Sequence, residues 1–362
     1  MNDLEKARQI INTADKEMAK FFEMRMDAVK LVTSYKKENG IPIDDFAREA
    51  EMIERNSNLI GNEEYREYYV NFLKNNILLS KKMQHKLLEG MKVAYSGVEG
   101  AFANICAKKI FPDAESIPFG DFKTAYKAVE NGECDCVILP IENSHNGDVG
   151  NVLDLAFFGS LYINGVYEAE IVQNLLAVKG AVIEDVKKVI SHPQALGQSA
   201  SFIEKYNLET EDAVNTAVAA KTVAEMGSKS VAAIGSVEAA EKYGLNVLAA
   251  HINESNTNST RFAVFSRSKR NPSVSDDRFI MLFTVKNVAG SLGRAISVIG
   301  EHGFNLQALK SRPTKELVWD YFFYVEGEGN INSEQGRAMV ADLQECCSNL
   351  KIVGYFDKEI RI

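Results

Sequence analysis

One stretch of sequence decides the fold of the middle of the chain: Cys136-Val137-Ile138-Leu139-Pro140-Ile141-Glu142-Asn143-Ser144, an apolar run with a polar end. An apolar run this short is typical of a buried strand. Similar runs occupy residues 92–95, 186–190 and 231–234, and helical stretches such as 122–132 lie between the runs. The alternation of strands with helices predicts an α/β fold with a largely parallel sheet.

Polar motifs stand where strands of this kind begin or end, and ligands usually bind at strand ends in open α/β sheets. The motifs are Glu142-Asn143-Ser144, Ser191-His192-Pro193-Gln194-Ala195-Leu196-Gly197-Gln198 and Asn256-Thr257-Asn258-Ser259-Thr260-Arg261-Phe262. The second motif leads into a helix whose free N–H groups can receive an anion. From the residues alone, the first motif is equally compatible with a plain loop, and a single histidine such as His192 is more often structural than a base.

Together these motifs resemble the prephenate dehydratase family over about residues 91–268. The resemblance implies a two-lobed fold like type II solute-binding proteins, with the site in the cleft, and loss of the ring hydroxyl and CO2 from prephenate to give phenylpyruvate. It implies Thr260 as the donor to the leaving hydroxyl, with Arg261 and the Asn143-Ser144 turn as carboxylate anchors. Because a threonine hydroxyl is a poor general acid, a hydrogen-bonding or relay role for Thr260 stays open. The further substrate contacts that it implies are Ser191, His192, Gln194, Gln198 and Phe262.

Residues 1–90 predict three helices, at about 4–37, 44–56 and 64–88, and therefore a helical bundle that a second copy could complete. Cations at Arg8, Arg25 and Lys36 share one helical stripe with apolar residues. They either reach the edge of the stripe and pair with carboxylates there or, together, line a pocket for a compact polyanion.

This segment resembles the all-helical chorismate mutase family over about residues 4–88. The matching series is Arg8, Asp15, Arg25, Lys36, Asp45, Arg48, Glu49, Ser80 and Gln84. The resemblance implies a pericyclic rearrangement of chorismate to prephenate, with three arginines on carboxylates and Arg8 expected from a partner subunit. It places Lys36 and Gln84 at the ether oxygen and Glu49 at the ring hydroxyl. A neutral Gln84 predicts little loss of activity at alkaline pH until Lys36 titrates.

Residues 266–277 are polar and read as a linker, and the last 85 or so residues predict the order βαββαβ. The predicted elements lie at 279–285, 291–301, 305–310, 318–325, 333–347 and 351–356. With Gly290-Ser291-Leu292 and Lys310-Ser311-Arg312-Pro313, the segment 278–362 resembles the ACT regulatory domain. The resemblance implies phenylalanine as an effector bound by these two motifs. The family has Glu where this chain has Lys310, which could retune inhibition, whereas the remaining motif and Trp319 favour feedback control.

Composition narrows the class of protein further. A net charge of −9 disfavours general affinity for nucleic acid or an anionic membrane. Five cysteines without framework spacing and five scattered histidines predict neither a disulfide scaffold nor a zinc site. The N-terminal residues lack a signal-peptide layout and no apolar run reaches about 18 residues, so we expect a reduced, cytoplasmic protein.

The sequence therefore predicts a multidomain chain: an all-α bundle (1–90), a two-lobed α/β domain (91–268) and an α+β ferredoxin-like ACT domain (278–362). The expected function is a bifunctional isomerase and carbon–oxygen lyase that needs no cofactor, forms a homodimer or larger homo-oligomer, and is inhibited by phenylalanine. Two alternatives stay open. One is a monofunctional dehydratase whose helices only dimerise, and the other is an inactive sensor that binds an aromatic acid.

Overall fold

The computed structural model describes residues 2–88, 90–254, 257–314, 320–357 and 360–362. Three helices come first: α1 (Asp3–Asn39), α2 (Phe46–Ser57) and α3 (Glu63–Leu87). Asn2 forms a capping box with Glu5 at the start of α1, and Gly40, with φ at 62°, ends that helix in the left-handed region. The three predicted helices are confirmed to within a few residues.

The next segment folds into two lobes, each around its own sheet. Its elements are β1 (Lys92–Ser96), α4 (Phe102–Ile110), β2 (Glu115–Phe119), α5 (Phe122–Glu130), β3 (Cys136–Asn143), β4 (Gly147–Asp148), α6 (Gly150–Phe158), β5 (Tyr162–Glu170), β6 (Asn174–Ala177), β7 (Lys188–Ser191), α7 (Pro193–Gln198), α8 (Ala200–Lys205), β8 (Glu209–Asp212), α9 (Thr216–Met226), β9 (Val231–Gly235), α10 (Val237–Tyr243), β10 (Asn246–Ala249) and β11 (Ser259–Ser266).

The chain passes from the first lobe to the second and later returns. The strands next to these two crossings run antiparallel to their neighbours in the same lobe. In the first lobe the order is β5-β11-β3-β1-β2, and in the second it is β10-β6-β9-β7-β8. The prediction of a parallel sheet is correct for β3-β1-β2 and for β9-β7-β8. It is wrong at the crossings, because β11 runs antiparallel to both β3 and β5, and β6 runs antiparallel to β9.

The last segment has the predicted βαββαβ order. Its elements are β12 (Arg278–Thr284), α11 (Ser291–Glu301), β13 (Asn305–Pro313), β14 (Tyr321–Glu328), α12 (Glu334–Cys346), β15 (Ser348–Phe356) and a terminal β16 (Ile360–Arg361). The strand order β13-β14-β12-β15 is that of a ferredoxin-like sheet. Strand β15 also pairs with β5, so this sheet continues into the first lobe. Residues 318 and 319 of the predicted third strand, including Trp319, lie outside the described residues.

Of residues 266–277, predicted as a linker, Ser266 ends β11, and residues 267–277 are held by all three parts of the chain. The Arg270 N–H donates to Asn164 Oδ1 on β5 (2.8 Å), and the Tyr355 hydroxyl on β15 donates to the Arg270 carbonyl (2.7 Å). From α1, the Tyr35 hydroxyl donates to Asn271 Oδ1 (3.0 Å). The segment therefore joins the N-terminal helices, the first lobe and the C-terminal sheet through specific contacts. In the described parts of the chain, no helix has both the length and the apolar character needed to cross a membrane.

Candidate active sites

A cleft of about 550 Å³ lies between the two lobes. Its polar lining residues among those described are Ser96, Asp121, Asn143, Asn151, Gln173, His192, Gln194, Gln198, Asn215, Thr216 and Thr260. Side chains from both lobes contribute, so a ligand in this cleft would be enclosed from two sides. The cleft therefore has the position and the size expected of a site for a small molecule.

Thr260 lies on the cleft wall near the start of β11 and is 9% exposed. Its Oγ1 accepts a hydrogen bond from Asn143 Nδ2 at 2.9 Å. The same amide group contacts Asn258 Oδ1 (3.0 Å) and the Ser259 carbonyl (2.9 Å), while Asn143 Oδ1 accepts the N–H groups of His145 and Asn146. Asn143 thus holds the Thr260 hydroxyl in one position.

A β-bulge explains why Asn143 rather than Glu142 faces the cleft. Opposite β11, Arg261 pairs with Glu142 but Phe262 pairs with Pro140, so Ile141 is the extra residue on β3. Side chains in a regular strand alternate between the two faces, and an extra residue shifts that alternation by one. Pro140 and Asn143 therefore share the cleft face, and Glu142 points to the opposite face of the sheet.

The described part of the cleft contains neither lysine nor arginine, yet five helices begin there. The first turns of α4, α5, α6, α7 and α9 line it, through Ala103, Phe122, Asn151, Gln194 and Thr216. A helix N-terminus carries free N–H groups and a partial positive charge, which favour anions. The cleft can therefore bind a carboxylate ligand through backbone groups without a cationic side chain.

Two glutamines mark a further ligand-facing part of the cleft. Gln173 Nε2 donates to Gln198 Oε1 at 3.4 Å. Among the described residues, the buried Gln173 Oε1 and Gln198 Nε2 have no hydrogen-bond partner. Buried polar atoms without partners are uncommon, so these two atoms indicate where a bound polar group or water completes the site.

The loop at residues 97–100 closes one side of the cleft. The Tyr243 hydroxyl of the second lobe donates to the Glu99 carbonyl at 2.8 Å. Gly100 has φ at +89°, and a Cβ atom there would lie 3.3 Å from the Cα of Ala239 on α10. Glycine is therefore required both by the backbone conformation and by the close approach of the two lobes.

Six predicted dehydratase-site residues do line the cleft: Asn143, His192, Gln194, Gln198, Thr260 and Phe262. Three do not. Arg261 alternates to the other face of β11, where it contacts Glu142 (2.9 Å). The Ser144 hydroxyl donates to the Thr257 carbonyl (2.9 Å), and the Ser191 hydroxyl donates to the Ile234 carbonyl (2.7 Å). Local hydrogen bonds and ion pairs hold these three side chains outside the described cleft lining, and their role at the site stays a prediction.

The residues that sequence reasoning missed in the cleft are Ser96, Asp121, Asn151, Gln173, Asn215 and Thr216. Two of them, Asp121 and Asn215, cap the helices α5 and α9. An Asp or Asn before a helical stretch is a readable capping signal. The signal locates the helix N-termini, although not their convergence on one cleft.

A second pocket, of about 600 Å³, lies among the N-terminal helices and the 267–277 segment. Lys36, Asp45 and Arg48 line it, together with Tyr35 and residues 270–274. Lys36 Nζ donates to the Ile43 carbonyl at 2.7 Å. Burial lowers the pKa of Lys36 to about 8, although Asp45 acts in the opposite direction. A half-buried cation therefore faces a pocket large enough for a small dianion.

Other residues of the predicted mutase series lie elsewhere in the bundle: Arg25 with Ser80, Glu49 with Lys81, and Gln84 by itself. Arg25 donates to the Ser80 hydroxyl and to the Asn76 carbonyl (3.2 Å). Glu49 pairs with Lys81 (2.7 Å), a residue that the sequence reasoning did not include. Gln84 is buried, and within the described chain its Oε1 has no hydrogen-bond partner. Arg25 and Gln84 therefore retain hydrogen-bonding capacity inside the bundle.

The first half of α1 is exposed. Arg8 and Asp15 are exposed, and so are the apolar residues of the same stripe, Leu4, Ile11, Met18 and Phe22. A single copy of the chain therefore does not bring Arg8 to the pocket that contains Lys36. The uncovered stripe is of the kind that packs against another helix.

The predicted effector residues lie on two elements of the last segment. Gly290 is the left-handed N-cap of α11, which begins at Ser291 and continues through Leu292. Ser311, Arg312 and Pro313 end strand β13. Arg312 forms a bidentate pair with Asp154 on α6, at 2.6 and 3.1 Å. The residue expected to bind an effector thus contacts a helix whose first turn lines the cleft.

Comparison with known proteins finds two enzyme families in the chain. The family model for chorismate mutase type II matches residues 7–85, and the model for prephenate dehydratase matches residues 93–270. A bifunctional chorismate mutase/prephenate dehydratase of Aquifex aeolicus is 31% identical over 99% of both chains. Arogenate dehydratase 2 of Petunia hybrida is 33% identical over 78% of this chain and 76% of its own. A solved prephenate dehydratase of Arthrobacter aurescens, in complex with L-Phe, is 26% identical, with a TM-score of 0.70 over 74% of this chain and 90% of its own.

The helical N-terminal segment and the two-lobed segment with its cleft each match one family model, and together they characterise a two-domain enzyme of aromatic metabolism. The chain belongs to the bifunctional chorismate mutase/prephenate dehydratase family. It catalyses both the rearrangement of chorismate to prephenate and the conversion of prephenate to phenylpyruvate.

Proposed function

We propose that prephenate binds in the cleft between the lobes and that Thr260 donates a hydrogen bond or proton to its leaving hydroxyl. The observation that carries this proposal is the buried Thr260 hydroxyl, which is held by Asn143 Nδ2 at 2.9 Å on the cleft wall. Because Oγ1 accepts that bond, its own hydrogen is available as a donor to a ligand. A donor fixed before the reaction is effective in catalysis because it needs no reorganisation.

The reaction needs little more than this donor and a fixed substrate. The bond from the ring to its carboxylate breaks, and the electron pair of that bond enters the ring as CO2 leaves. The bond from the ring to its hydroxyl breaks on the opposite side, and the hydroxyl takes up a proton and departs as water. Since the product ring is aromatic, the driving force lies in the substrate, and the enzyme stabilises the leaving oxygen.

The substrate carboxylates require anchors, and we assign this role to the helix N-termini rather than to Arg261. The first turns of α4, α5, α6 and α9 meet in the cleft, whereas Arg261 contacts carboxylates on the other face of the sheet. His192, Gln194 and Gln198 supply polar contacts from the second lobe. Under this assignment, the helix N-termini supply the partial positive charge that attracts an anion, in a cleft that the Asp121 carboxylate also lines.

For the mutase reaction, the proposed site lies inside the helical bundle. It joins Lys36 and Arg48, which line the bundle pocket, with Arg25 and Gln84, which lie outside the lining of that pocket. The rearrangement has no covalent intermediate, so the pocket must hold the reactive conformer and stabilise charge on the ether oxygen. The half-buried Lys36 at the pocket and the buried Gln84 Oε1, which has no hydrogen-bond partner among the described residues, support a polar ligand in the bundle. Arg8 of a second copy completes the site in this proposal, because Arg8 of the same chain is exposed.

The lowered pKa of Lys36 predicts an alkaline limit to mutase activity. Protonated Lys36 stabilises the ether oxygen, and with a pKa of about 8 it loses its proton as the pH rises through that value. We expect mutase kcat/KM, which reports groups of the free enzyme, to fall above about pH 8 by up to about tenfold per pH unit. Because arginine stays protonated, the Lys36→Arg variant should have a lower but flatter profile. A wild-type profile that stays level to pH 10 contradicts the assignment.

We further propose that residues 278–362 form an ACT domain that senses phenylalanine. The ferredoxin-like order, the Gly290-Ser291-Leu292 turn and the Ser311-Arg312-Pro313 strand end support this assignment. The relative that was solved in complex with L-Phe supports the choice of ligand. Contacts between Arg312 and Asp154 provide a physical route from that domain to the cleft.

Supplying chorismate to the purified protein tests the pathway and its feedback together. Without phenylalanine, we expect the protein to convert chorismate through prephenate to phenylpyruvate. NMR spectra recorded during the reaction measure all three compounds. With saturating phenylalanine, we expect phenylpyruvate formation to slow by about 5- to 150-fold, the usual range of allosteric coupling, with prephenate accumulating. Tyrosine at the same concentration is the control. An unchanged rate of phenylpyruvate formation, with phenylalanine binding undetectable by calorimetry, contradicts the proposed sensor.

A further inference from the structure

Four charged side chains form an ion-pair network between the C-terminal segment and the strands that carry the dehydratase site. Arg261 on β11 contacts Glu142 on β3 (2.9 Å) and Glu326 on β14. Lys310 on β13 donates to the other oxygen of Glu142 (2.7 Å). The Tyr324 hydroxyl donates to Glu326 Oε2 (3.2 Å). The network therefore links two strands of the first lobe to two strands of the C-terminal segment.

The network is largely withdrawn from water. Side-chain exposures are 2% for Glu326, 16% for Arg261, 18% for Lys310 and 28% for Glu142. Burial raises the pKa of Glu142, but the hydrogen bonds from Lys310 and Arg261 outweigh burial and leave that pKa below its ordinary value. Two carboxylates and two cations balance, so removal of one member leaves an uncompensated buried charge.

The network lies directly behind the proposed catalytic pair. Glu142 is the residue before Asn143, and Arg261 is the residue after Thr260. Arg261 and Glu142 are register partners on the two strands, as are Thr260 and Asn143. Thr260 and Asn143 face the cleft, and Arg261 and Glu142 face the C-terminal segment. A shift of either charged side chain therefore moves the backbone that carries the hydrogen bond between Asn143 and Thr260.

We propose that Lys310 and Glu326 are positioning residues for the dehydratase reaction. They fix Glu142 and Arg261 and thereby hold Asn143 and the Thr260 hydroxyl in place, although both lie outside the dehydratase segment of residues 93–270. The proposal rests on the assignment of Thr260 as the donor. It gives Lys310, which replaces a carboxylate expected from the ACT resemblance, a specific task in this chain.

Replacing Lys310 with methionine tests the proposal. The expected result is a fall in dehydratase kcat of about 10- to 100-fold, because small misplacements of a catalytic group have effects of that size. KM for prephenate should change much less, since Lys310 does not touch the cleft. The Lys310→Arg variant should recover most of the lost kcat, because it restores the charge opposite Glu142. Mutase kcat, measured on the same preparation, reports whether the chain is folded.

Two comparisons separate positioning from general destabilisation. Arg278 is a matched control: it is 16% exposed and pairs with Glu328 inside the C-terminal segment, so Arg278→Met should leave dehydratase kcat unchanged. In a Glu142→Gln background, Lys310→Met should cause little further loss of kcat, because its partner is already neutral. Should Lys310→Met not fold, Glu326→Gln replaces it, and dehydratase kcat should again fall while mutase activity stays.

The outcomes also separate this proposal from the proposed site. Wild-type dehydratase kcat in both Lys310→Met and Glu326→Gln, with Thr260→Ala inactive, overturns the positioning role and leaves the site assignment intact. Additive losses in the double variant with Glu142→Gln likewise overturn it, because Lys310 would then act by another route. An active Thr260→Ala variant overturns the site assignment itself.

Discussion

Replacement of Thr260 with alanine is expected to lower dehydratase kcat by about 100- to 10,000-fold, the range typical of a lost proton donor. The leaving hydroxyl then has to depart without a fixed donor. The fold should survive, because Asn143 Nδ2 keeps contacts with Asn258 Oδ1 and the Ser259 carbonyl when Oγ1 is absent. Phenylpyruvate formation from prephenate measures the loss, and chorismate consumption by the distant mutase site should stay at the wild-type rate.

The matched control is Thr260→Ser, which keeps the hydroxyl and removes only the methyl group. It should retain most of the dehydratase kcat, because serine can accept the same hydrogen bond from Asn143. If serine and alanine variants lose the same amount of kcat, packing of the methyl group matters rather than the donor. If the alanine variant keeps more than a tenth of the wild-type kcat, another group in the cleft protonates the leaving hydroxyl.

Hydrophobic patterning was sufficient to predict the helices and the ferredoxin-like order, because each of those elements has one apolar face with a regular period. It did not reveal β5, which runs through Asn164-Gly165, a pair that usually signals a turn. Asn164 is buried in a strand because its side chain bonds to the Ser268 carbonyl and receives the Arg270 N–H. Those partners lie about a hundred residues away in the sequence, so no local pattern contains them.

Part of the dehydratase site could likewise be predicted from the sequence, and part of it could not. The alternation of side chains along β11 separates Thr260 and Phe262 from Arg261, and this much could be read from the sequence. The bulge at Ile141 could not, because it depends on the register between β3 and β11. Without the bulge, Glu142 would share the cleft face with Pro140, and the anionic substrate would meet a second carboxylate besides that of Asp121. The charge on the cleft wall therefore depends on Ile141, the extra residue of the bulge in β3.

The other large effect concerns the mutase site and its assembly from two chains. Arg25→Ala and Arg8→Ala should each lower mutase kcat/KM by about 100- to 1,000-fold, because each removes from the site a cation that contacts the dianionic substrate. If Arg8 comes from a second copy, however, the two defects lie on different chains of one site. A mixed dimer then contains one site with both arginines intact and one site with neither.

Random mixing of these two variants should therefore restore about a quarter of the wild-type mutase activity, since half of the dimers are mixed and each has one intact site of two. Co-expression with two affinity tags isolates the mixed dimer, which should show about half of the wild-type activity per dimer. Arg25→Ala mixed with Arg48→Ala is the control. Both residues belong to the same chain's site, so no arrangement of those two chains rebuilds it. Mixed dimers of Arg8→Ala and Arg25→Ala that stay inactive would assign Arg8 to its own chain, and the exposed stripe of α1 would then have to fold back on the same bundle.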